Sequence, residues 1–478
     1  MTLSSFTILI VGTIFKMGGF TKVLVFCAMV VAVRASMIES TLPLPDENAW
    51  WGTGEARAVD TSIREFKIKY EKKMIKDLRW RLKNHRPFTP PLEDSAFNYG
   101  FNTKNMNSWV SYWAKSYNFT AREDYLNQFP HYKTNIQGLD IHFIRVKPEV
   151  PEGVEVVPLM MLHGWPATIV EFYKAIPLLT QVSKERGYAI ELIIPSLPGF
   201  GFSDATLKQG MGATEMAVVL RNLMHRIGHK KFYIHGGDWG TYICYSLASL
   251  FPDEVYGYHT NYGISLSPAS WITWLMGGFG EGAQNLVVDK AVAGRLYPVT
   301  TVLKELMIKT GYLHIQATKP DTISVGMGDS PSGLLAYILE FVSMAVRQEN
   351  INKEDGGLTE YYTRDELLDN LMIFWMNNNF NSAARIYAET LNMRNLNNGW
   401  FSLSTPVPVY LIQADNELLY MSTQMLQHIY TNIVNNTAIE GAGHFIASEK
   451  PQLFSESMFN AISMFKEWHK KNACKDEL

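Results

Sequence analysis

The chain has 478 residues, of which 47% are hydrophobic and 13% aromatic. This composition can bury a large core, which excludes a disordered protein and a small disulfide-stapled scaffold. Its 43 Lys and Arg residues stand against 46 Asp and Glu residues, so the net charge of −3 predicts no surface for nucleic acid. The cysteines lie far apart in sequence and indicate neither a disulfide framework nor a zinc site: Cys27, Cys244 and Cys474.

The N-terminus carries two apolar runs, residues 3–15 and 23–33, separated by a hinge that contains Lys16 and Lys22. Each run is shorter than the roughly 20 apolar residues that span a bilayer. The second run resembles the core of a signal peptide, and Val33-Arg34-Ala35 could precede a cleavage site. Joined, the two runs could instead form one long, imperfect anchor. Residues 1–35 are therefore predicted to be a membrane anchor or a signal segment.

After a linker at residues 41–46, a polar and aromatic-rich stretch continues to Gly138. It contains Lys67 to Leu82, which is charged with an apolar stripe at helical spacing, and a turn broken by prolines at residues 87–91. We predict a helical or wrapping N-terminal extension.

From Ile141 onward, short apolar strands alternate with helical patterns, which predicts a mostly parallel sheet covered by helices. The predicted strands include residues 157–162, 190–194, 232–235 and 407–412. Between residues 265 and 400 the strand patterns disappear and amphipathic helices dominate, for example at 333–346 and 365–374. An all-helical insertion before the last strands predicts a lid.

The predicted organisation has six parts. They are the membrane anchor or signal segment (1–35), the N-terminal extension (36–138), the first part of the core (139–264), the helical lid (265–400), the second part of the core (401–472) and a tail (473–478).

The most informative segment is Gly236-Gly237-Asp238-Trp239-Gly240, which follows an apolar strand and precedes a helical pattern at 242–250. A Gly-x-nucleophile-x-Gly turn needs small residues because its backbone is strained and passes close to the sheet. Asp238 occupies the position where a serine is more usual. It is either a carboxylate nucleophile or an N-cap of the following helix, and the flanking glycines favour the nucleophile.

A carboxylate nucleophile at this position indicates which kind of carbon atom the enzyme attacks. A serine that attacked a saturated carbon would form an ether, which offers water no carbonyl to attack. An aspartate forms an ester, which water can hydrolyse. Asp238 therefore predicts attack on a saturated carbon that bears a leaving group, such as an epoxide oxygen or a halide.

Ester hydrolysis requires a base and an acid that orients it. His444 lies on a glycine-flanked loop, Gly441 to Phe445, and is the candidate base. In α/β-hydrolases the chain order is nucleophile, acid, histidine, so the acid should follow the strand at 407–412. Asp415 and Glu417 both qualify by position.

The developing oxyanion also needs hydrogen-bond donors. Trp165 belongs to His163-Gly164-Trp165-Pro166 at the end of a predicted strand, and Trp239 directly follows Asp238. Their backbone N–H groups are the candidate donors. A plain turn at the end of the strand is the alternative for the first of them.

The chain ends in Lys475-Asp476-Glu477-Leu478, a retrieval signal of the endoplasmic reticulum that is read in the lumen. Lys16 and Lys22 precede the second apolar run and would leave the following chain on the lumenal side. We expect a membrane-associated protein of the endoplasmic reticulum, with lumenal orientation as one possibility.

In this order, these residues resemble the microsomal epoxide hydrolases, including the juvenile hormone epoxide hydrolases of insects. The resemblance covers nearly the whole chain. The segments that carry it are Trp50-Trp51-Gly52, residues 89–95, 163–166, 236–240 and 311–316, Asp329-Ser330-Pro331 and Gly443-His444-Phe445. The segments in the extension and the lid are specific to this family, whereas haloalkane dehalogenases share the nucleophile turn.

The resemblance implies an α/β-hydrolase fold with a helical lid, and a cofactor-free, metal-free hydrolysis of apolar epoxides to vicinal diols. It implies Asp238 as nucleophile, His444 as base and Glu417 rather than Asp415 as the acid. It also implies that Tyr312 and Tyr387 in the lid donate hydrogen bonds to the epoxide oxygen. A phenol is chemically suitable because an alkoxide leaving group needs an acid at neutral pH; packing of the lid is the alternative role.

Two other functions remain open, a haloalkane dehalogenase and a catalytically silent α/β-hydrolase fold that binds a ligand. The physiological epoxide could be a juvenile hormone, another lipid or a xenobiotic such as an aromatic hydrocarbon that is detoxified. The family is usually described as facing the cytosol, whereas the C-terminal signal of this chain is a lumenal one, so the resemblance leaves the topology open.

Overall fold

The computed structural model describes residues 43–476. The predicted anchor or signal segment at residues 1–35, and Glu477 and Leu478 of the predicted retrieval signal, lie outside the described residues. Between residues 43 and 476, no helix is both long enough and apolar enough to cross a bilayer.

A nine-stranded sheet forms the centre of the described chain, with the strand order β1-β2-β3-β5-β4-β6-β7-β8-β9. The strands are β1 (Arg64–Phe66), β2 (His131–Ile136), β3 (Leu139–Val146), β4 (Glu155–Leu162), β5 (Tyr188–Pro195), β6 (Phe232–Gly236), β7 (Val255–Thr260), β8 (Thr405–Ala414) and β9 (Tyr430–Ile439). Strands from β5 through β4 to β9 are parallel, and β1, β2 and β3 add an antiparallel edge. The predicted mostly parallel sheet is confirmed.

Helices cover this sheet, dominate the lid and form part of the extension. They are α1 (Lys72–Lys83), α2 (Met106–Lys115), α3 (Phe119–Leu126), α4 (Ile176–Leu179), α5 (Ala213–Ile227), α6 (Trp239–Leu250), α7 (Pro268–Gly277), α8 (Glu281–Val287), α9 (Val299–Lys309), α10 (Gly311–Thr318), α11 (Pro320–Asp329), α12 (Pro331–Val346), α13 (Arg364–Asn377), α14 (Phe380–Thr390), α15 (Met393–Asn397), α16 (Thr423–Leu426), α17 (Ile446–Glu449) and α18 (Pro451–Asp476).

The central strands are mostly buried because helices cover both faces of a parallel sheet. Every residue of β5 is buried, including Glu191. This carboxylate is paired with Arg145 at 2.7 Å and with His229 at 3.3 Å. Its charge therefore has partners where water is excluded.

The N-terminal extension, predicted to be helical or wrapping, contains strands as well as helices. The extension supplies β1 and β2, and β2 forms a hairpin with β3 through Gln137 and Gly138. Both turn residues have positive φ angles, 52° and 89°, as a two-residue hairpin turn requires. The sequence boundary at residue 138 therefore falls inside a hairpin.

The helix predicted from Lys67 to Leu82 begins later, at Lys72. Ahead of it, the backbone N–H of Ile68 donates to the Asn127 side chain and that of Tyr70 to the Glu123 carboxylate. These bonds to side chains replace the bonds that a further turn of helix would make.

Within the described residues, the segment between β7 and β8 contains helices and no strand. The helical patterns at 333–346 and 365–374 correspond to α12 and α13. An ion pair ties this lid to the extension: the Arg122 guanidinium in α3 donates to the fully buried Asp369 carboxylate in α13, with Nε–Oδ distances of 3.0 and 3.1 Å. The Tyr117 hydroxyl donates to the same carboxylate at 2.8 Å.

We expect the substitution Arg122→Ala to lower the free energy of unfolding by about 3–5 kcal/mol, because it leaves the Asp369 carboxylate buried without its cation. Urea denaturation measures the loss. Arg64→Ala is the matched control, since Arg64 pairs with Asp140 at 2.6 Å while 41% of its side chain is exposed. An exposed pair contributes at most about 1 kcal/mol. Equal losses in the two variants would contradict the prediction.

Candidate active site

Asp238 lies on a sharp turn between β6 and α6, with φ 47° and ψ −124°. Three of the surrounding backbone positions have room only for hydrogen. A Cβ on Gly236 would lie 2.2 Å from the Gly240 carbonyl oxygen, and one on Gly240 would lie 2.2 Å from that of Leu162. A Cβ on Gly164 would lie 2.3 Å from Asp238 Oδ1 itself. The glycines therefore allow a strained backbone to present this carboxylate at the ends of β4 and β6.

The side chain of Asp238 does not cap α6. Instead, its Oδ1 accepts a hydrogen bond of 2.8 Å from the backbone N–H of Trp165. Trp239 is the first residue of α6, where backbone N–H groups lack partners within the helix. The two predicted donors therefore flank the carboxylate, one bound to it in the present structure and one on the residue that follows.

Glu417 and His444 meet at the same end of the sheet. His444 Nδ1 lies 2.8 and 3.0 Å from the two carboxylate oxygens of Glu417, and His444 Nε2 lies 3.5 Å from Asp238 Oδ2. The imidazole thus bridges the two carboxylates, and both it and Glu417 are buried.

Asp415, the other acid that the sequence left open, points elsewhere. Its carboxylate accepts from the backbone N–H groups of Gly441 at 2.8 Å and Ala442 at 3.1 Å, and the residue is exposed. It therefore holds the turn ahead of His444, while Glu417 contacts the imidazole. Of the two candidate acids, Glu417 is therefore the one placed to orient His444.

Other contacts fix the backbone of the histidine loop. The His444 N–H donates to the Ala345 carbonyl in α12 at 2.9 Å, and its own carbonyl accepts from Asn261 Nδ2 at 3.0 Å. The Glu449 carboxylate accepts from the N–H groups on both sides of His444, those of Gly443 at 2.9 Å and Phe445 at 3.1 Å. These contacts make the position of the imidazole independent of substrate.

Burial lowers the pKa of His444, but the Glu417 and Asp238 carboxylates outweigh it and raise this pKa well above its usual value. The resting site therefore holds an imidazolium between two carboxylates at neutral pH. Any reaction that neutralises Asp238 removes one of the two charges that hold the proton on His444.

Tyr312 in α10 and Tyr387 in α14 lie in the lid against the two tryptophans that flank Asp238. The Tyr312 ring stacks on Trp165 with a centroid distance of 5.2 Å, and the Tyr387 ring meets Trp239 edge to face at 4.7 Å. The two phenol rings are 6.1 Å apart. Burial and the Asp238 charge contribute to raising the pKa of both phenols well above 10, so both stay protonated and can donate.

Sequence reasoning missed several residues that support this site. Asn261 was missed because β7, which it follows, was not recognised as a strand. Glu449 carried a weak signal, since it stands five residues after the candidate base. Glu171 lies in an apolar pocket with Val342 and Phe445, and burial raises the pKa of its carboxyl to about 8.

Within residues 43–476, no group of three or more His, Cys, Asp or Glu side chains is arranged to hold a metal ion.

Comparison with known proteins identifies the family. Residues 63–172 match the family model described as epoxide hydrolase N terminus, and residues 157–279 match the alpha/beta hydrolase fold. The chain is 45% identical to juvenile hormone epoxide hydrolase of Bombyx mori over 93% of its own length and 97% of the relative. The chain belongs to the epoxide hydrolase family.

Further epoxide hydrolases support this membership. Epoxide hydrolase 1 of Sus scrofa is 39% identical over 88% of this chain and 93% of its own. The crystal structure of the Bombyx mori protein superposes with a TM-score of 0.87 at 46% identity, covering 89% of this chain and all of that one. The structure of Aspergillus niger epoxide hydrolase, at 23% identity and a TM-score of 0.69, shares the fold.

We expect Glu417→Gln to lower the pKa of His444, because Glu417 is one of the two charges that raise it. Epoxide turnover should fall by about 10²–10⁴-fold, the range known for losing the acid that orients a catalytic histidine. NMR titration of ¹³C-labelled histidine and an epoxide assay measure the two effects. Asp415→Asn is the matched control and should leave both within a few-fold of the unsubstituted enzyme. The reverse ranking of the two variants would refute the assignment.

Proposed function

We propose that this epoxide hydrolase converts apolar epoxides to vicinal diols through an ester on Asp238. The observation that carries the proposal is the single cluster in which a carboxylate, an imidazole with its own carboxylate, and two protonated phenols converge. Each of these groups has a separate task in the two half-reactions.

In the first half-reaction, one oxygen of Asp238 attacks an epoxide carbon from the side opposite the carbon–oxygen bond, which breaks. Trp165 N–H holds Oδ1, so Oδ2 is the oxygen free to attack. The epoxide oxygen takes a proton from Tyr312 or Tyr387, and the products are a hydroxyalkyl ester and a tyrosinate. Both phenols are positioned to donate because burial keeps them protonated.

Ester formation prepares the second half-reaction. It neutralises Asp238, which removes one of the two charges that raise the pKa of His444. The imidazole loses its proton to solvent and becomes a base, oriented by Glu417, which takes a proton from a water molecule as that water adds to the ester carbonyl. The N–H groups of Trp165 and Trp239 stabilise the oxyanion. On collapse the imidazolium gives its proton to the leaving alkoxide, which departs as the diol. The remaining proton from water passes from the Asp238 carboxyl to the tyrosinate, and the restored Asp238 charge lets His444 take up a proton from solvent again.

The oxygen source tests this sequence of steps. In a single turnover in H₂¹⁸O with enzyme in excess, we expect label to enter the Asp238 carboxylate and the first diol to carry unlabelled oxygen. Mass spectrometry of the diol and of the peptide containing Asp238 measures both. In His444→Gln the alkyl ester should accumulate, and Asp238→Ala should form none. Solvent oxygen in the first diol would sink the proposal.

The two tyrosines separate an epoxide hydrolase from a haloalkane dehalogenase. A halide leaves as a stable anion, whereas an alkoxide needs a proton. We expect Tyr312→Phe/Tyr387→Phe to slow ester formation from an epoxide by at least about 10²-fold, the typical contribution of a general acid. Rapid-quench kinetics measure ester formation, and Tyr337→Phe is the matched lid control. An undiminished rate would show that the phenols only pack the lid.

The substrate and the cellular site are further parts of the proposal. Relatives named for juvenile hormone match at 39–45% identity over most of the chain, and the site walls are aromatic, which together favour an apolar, terpenoid epoxide over an aromatic hydrocarbon. The apolar runs ahead of residue 35 and the C-terminal Lys-Asp-Glu-Leu support residence at the membrane of the endoplasmic reticulum.

A further inference from the structure

Three consecutive lid helices, α7, α8 and α9, expose large apolar side chains to solvent. Six of them define what we call the lid apolar face: Leu275 (47% exposed), Met276 (55%), Leu286 (79%), Leu303 (45%), Met307 (81%) and Ile308 (69%). Single exposed apolar residues are ordinary on protein surfaces, but six on adjoining helices indicate an interaction surface.

These helices adjoin one another. Helices α7 and α8 pack together, and the turn between them meets the start of α9, where the Val299 side chain lies 3.0 Å from the position of a Cβ on Gly278. None of the eleven residues of α9 is fully buried. Its inner side rests on Val299 and Val302, while Leu303, Met307 and Ile308 point outward. Because so short a helix is marginal in water on its own, a contact on its outer side would stabilise it.

The described chain begins beside α7, one of the helices that carry this face. Pro43, the first described residue, accepts a hydrogen bond of 2.9 Å from Trp400 Nε1. The short helical turn that begins with Trp400 contacts α7, where the side-chain oxygens of Ser402 and Ser267 are 3.5 Å apart. Only nine residues lie between Val33, the end of the second apolar run, and Pro43, which makes ten steps from Cα to Cα. A chain of that length spans at most about 36 Å.

The lid apolar face also adjoins the reactive groups. Tyr312 follows the end of α9 by three residues. Lys309, the last residue of α9, donates to Gln348 at 2.8 Å, and Gln348 donates to the backbone carbonyl of Glu417 at 3.2 Å. The helix that exposes Met307 and Ile308 is thus continuous with groups that contact the epoxide and with the acid that orients the base.

We propose that the lid apolar face docks on the surface of the bilayer that holds the N-terminal segment, so that apolar epoxides pass from lipid into the site. This inference rests on the proposed function. The occupant is lipid because the apolar run at residues 23–33, part of the predicted membrane anchor or signal segment, ends with only nine residues between it and Pro43. Lys290 and Lys304 are exposed at this side of the lid together with Glu281, Asp289 and Glu305, so the expected attraction to the bilayer is apolar rather than ionic.

The contact is tested by placing p-benzoylphenylalanine at Met307 in the full chain and irradiating it in phosphatidylcholine vesicles. Mass spectrometry of the adducts identifies the neighbour. An adduct with a phospholipid acyl chain is expected. An adduct with residues 1–42, an adduct with a second copy, or the absence of any adduct would overturn the proposal. The same probe at Leu92, 62% exposed in the extension, is the control and should give no lipid adduct.

Kinetics supply a second readout. In vesicles, Leu303→Glu/Met307→Glu should raise KM for a lipid-partitioned epoxide at least tenfold and leave kcat unchanged. For a small water-soluble epoxide, both constants should stay the same, and Leu92→Glu should behave like the unsubstituted enzyme with both substrates. An unchanged KM for the lipid-partitioned epoxide refutes docking alone, since turnover of the soluble epoxide still supports the proposed function. Loss of turnover of both epoxides in the unsubstituted enzyme refutes the proposed function itself.

Discussion

The crowding of backbone around Asp238 is the constraint on which the site depends. Two strand ends, a helix start and the loop after β4 approach so closely that a Cβ at Gly164, Gly236 or Gly240 would overlap another atom. The positive φ of Asp238 costs energy that only a rigid surrounding can offset. This rigid backbone holds the carboxylate against the Trp165 N–H and the imidazole without any rearrangement. Hydrogen-bond donors that are already in place stabilise charge best.

In the proposed mechanism, that fixed geometry also changes the pKa of His444 between the two half-reactions. One imidazole is held between two carboxylates, and its pKa is raised because both are charged. A base with so high a pKa in every state would not release its proton to solvent and could not activate water. In the proposed mechanism, ester formation at Asp238 removes one of the charges, so the proposed nucleophile would regulate when His444 acts as base. Glu417 contributes to both states and keeps the ring oriented.

The sequence predicted best those features that are encoded by neighbouring residues. Asp238, His444 and the core strands could be predicted because glycine spacing and apolar runs are local signals. Tyr312 and Tyr387 could not be derived from pattern among 23 tyrosines and came from the resemblance alone. The choice between Asp415 and Glu417 needed the path of the chain after β8. The β2–β3 hairpin was missed because its turn is Gln137-Gly138 rather than a stronger turn pair, and β7 because its pattern is half polar.

Some lid helices are hydrogen-bonded to loops of the core and others are not, and this difference affects how substrate can reach Asp238. Asn370 in α13 donates to the Pro166 carbonyl at 2.7 Å and accepts from the Thr168 hydroxyl at 2.8 Å, both in the loop just after the Trp165 donor. Ser382 in α14 donates to the Gly199 carbonyl at 2.6 Å. Opening the lid at α13 or α14 would disturb the oxyanion donors and Tyr387 together. Helix α9 has no buried side chain, so its displacement would expose little apolar surface. Substrate exchange beside α9 would leave the Trp165 loop and Tyr387 in place, whereas Tyr312, three residues beyond α9, would be the catalytic candidate most affected.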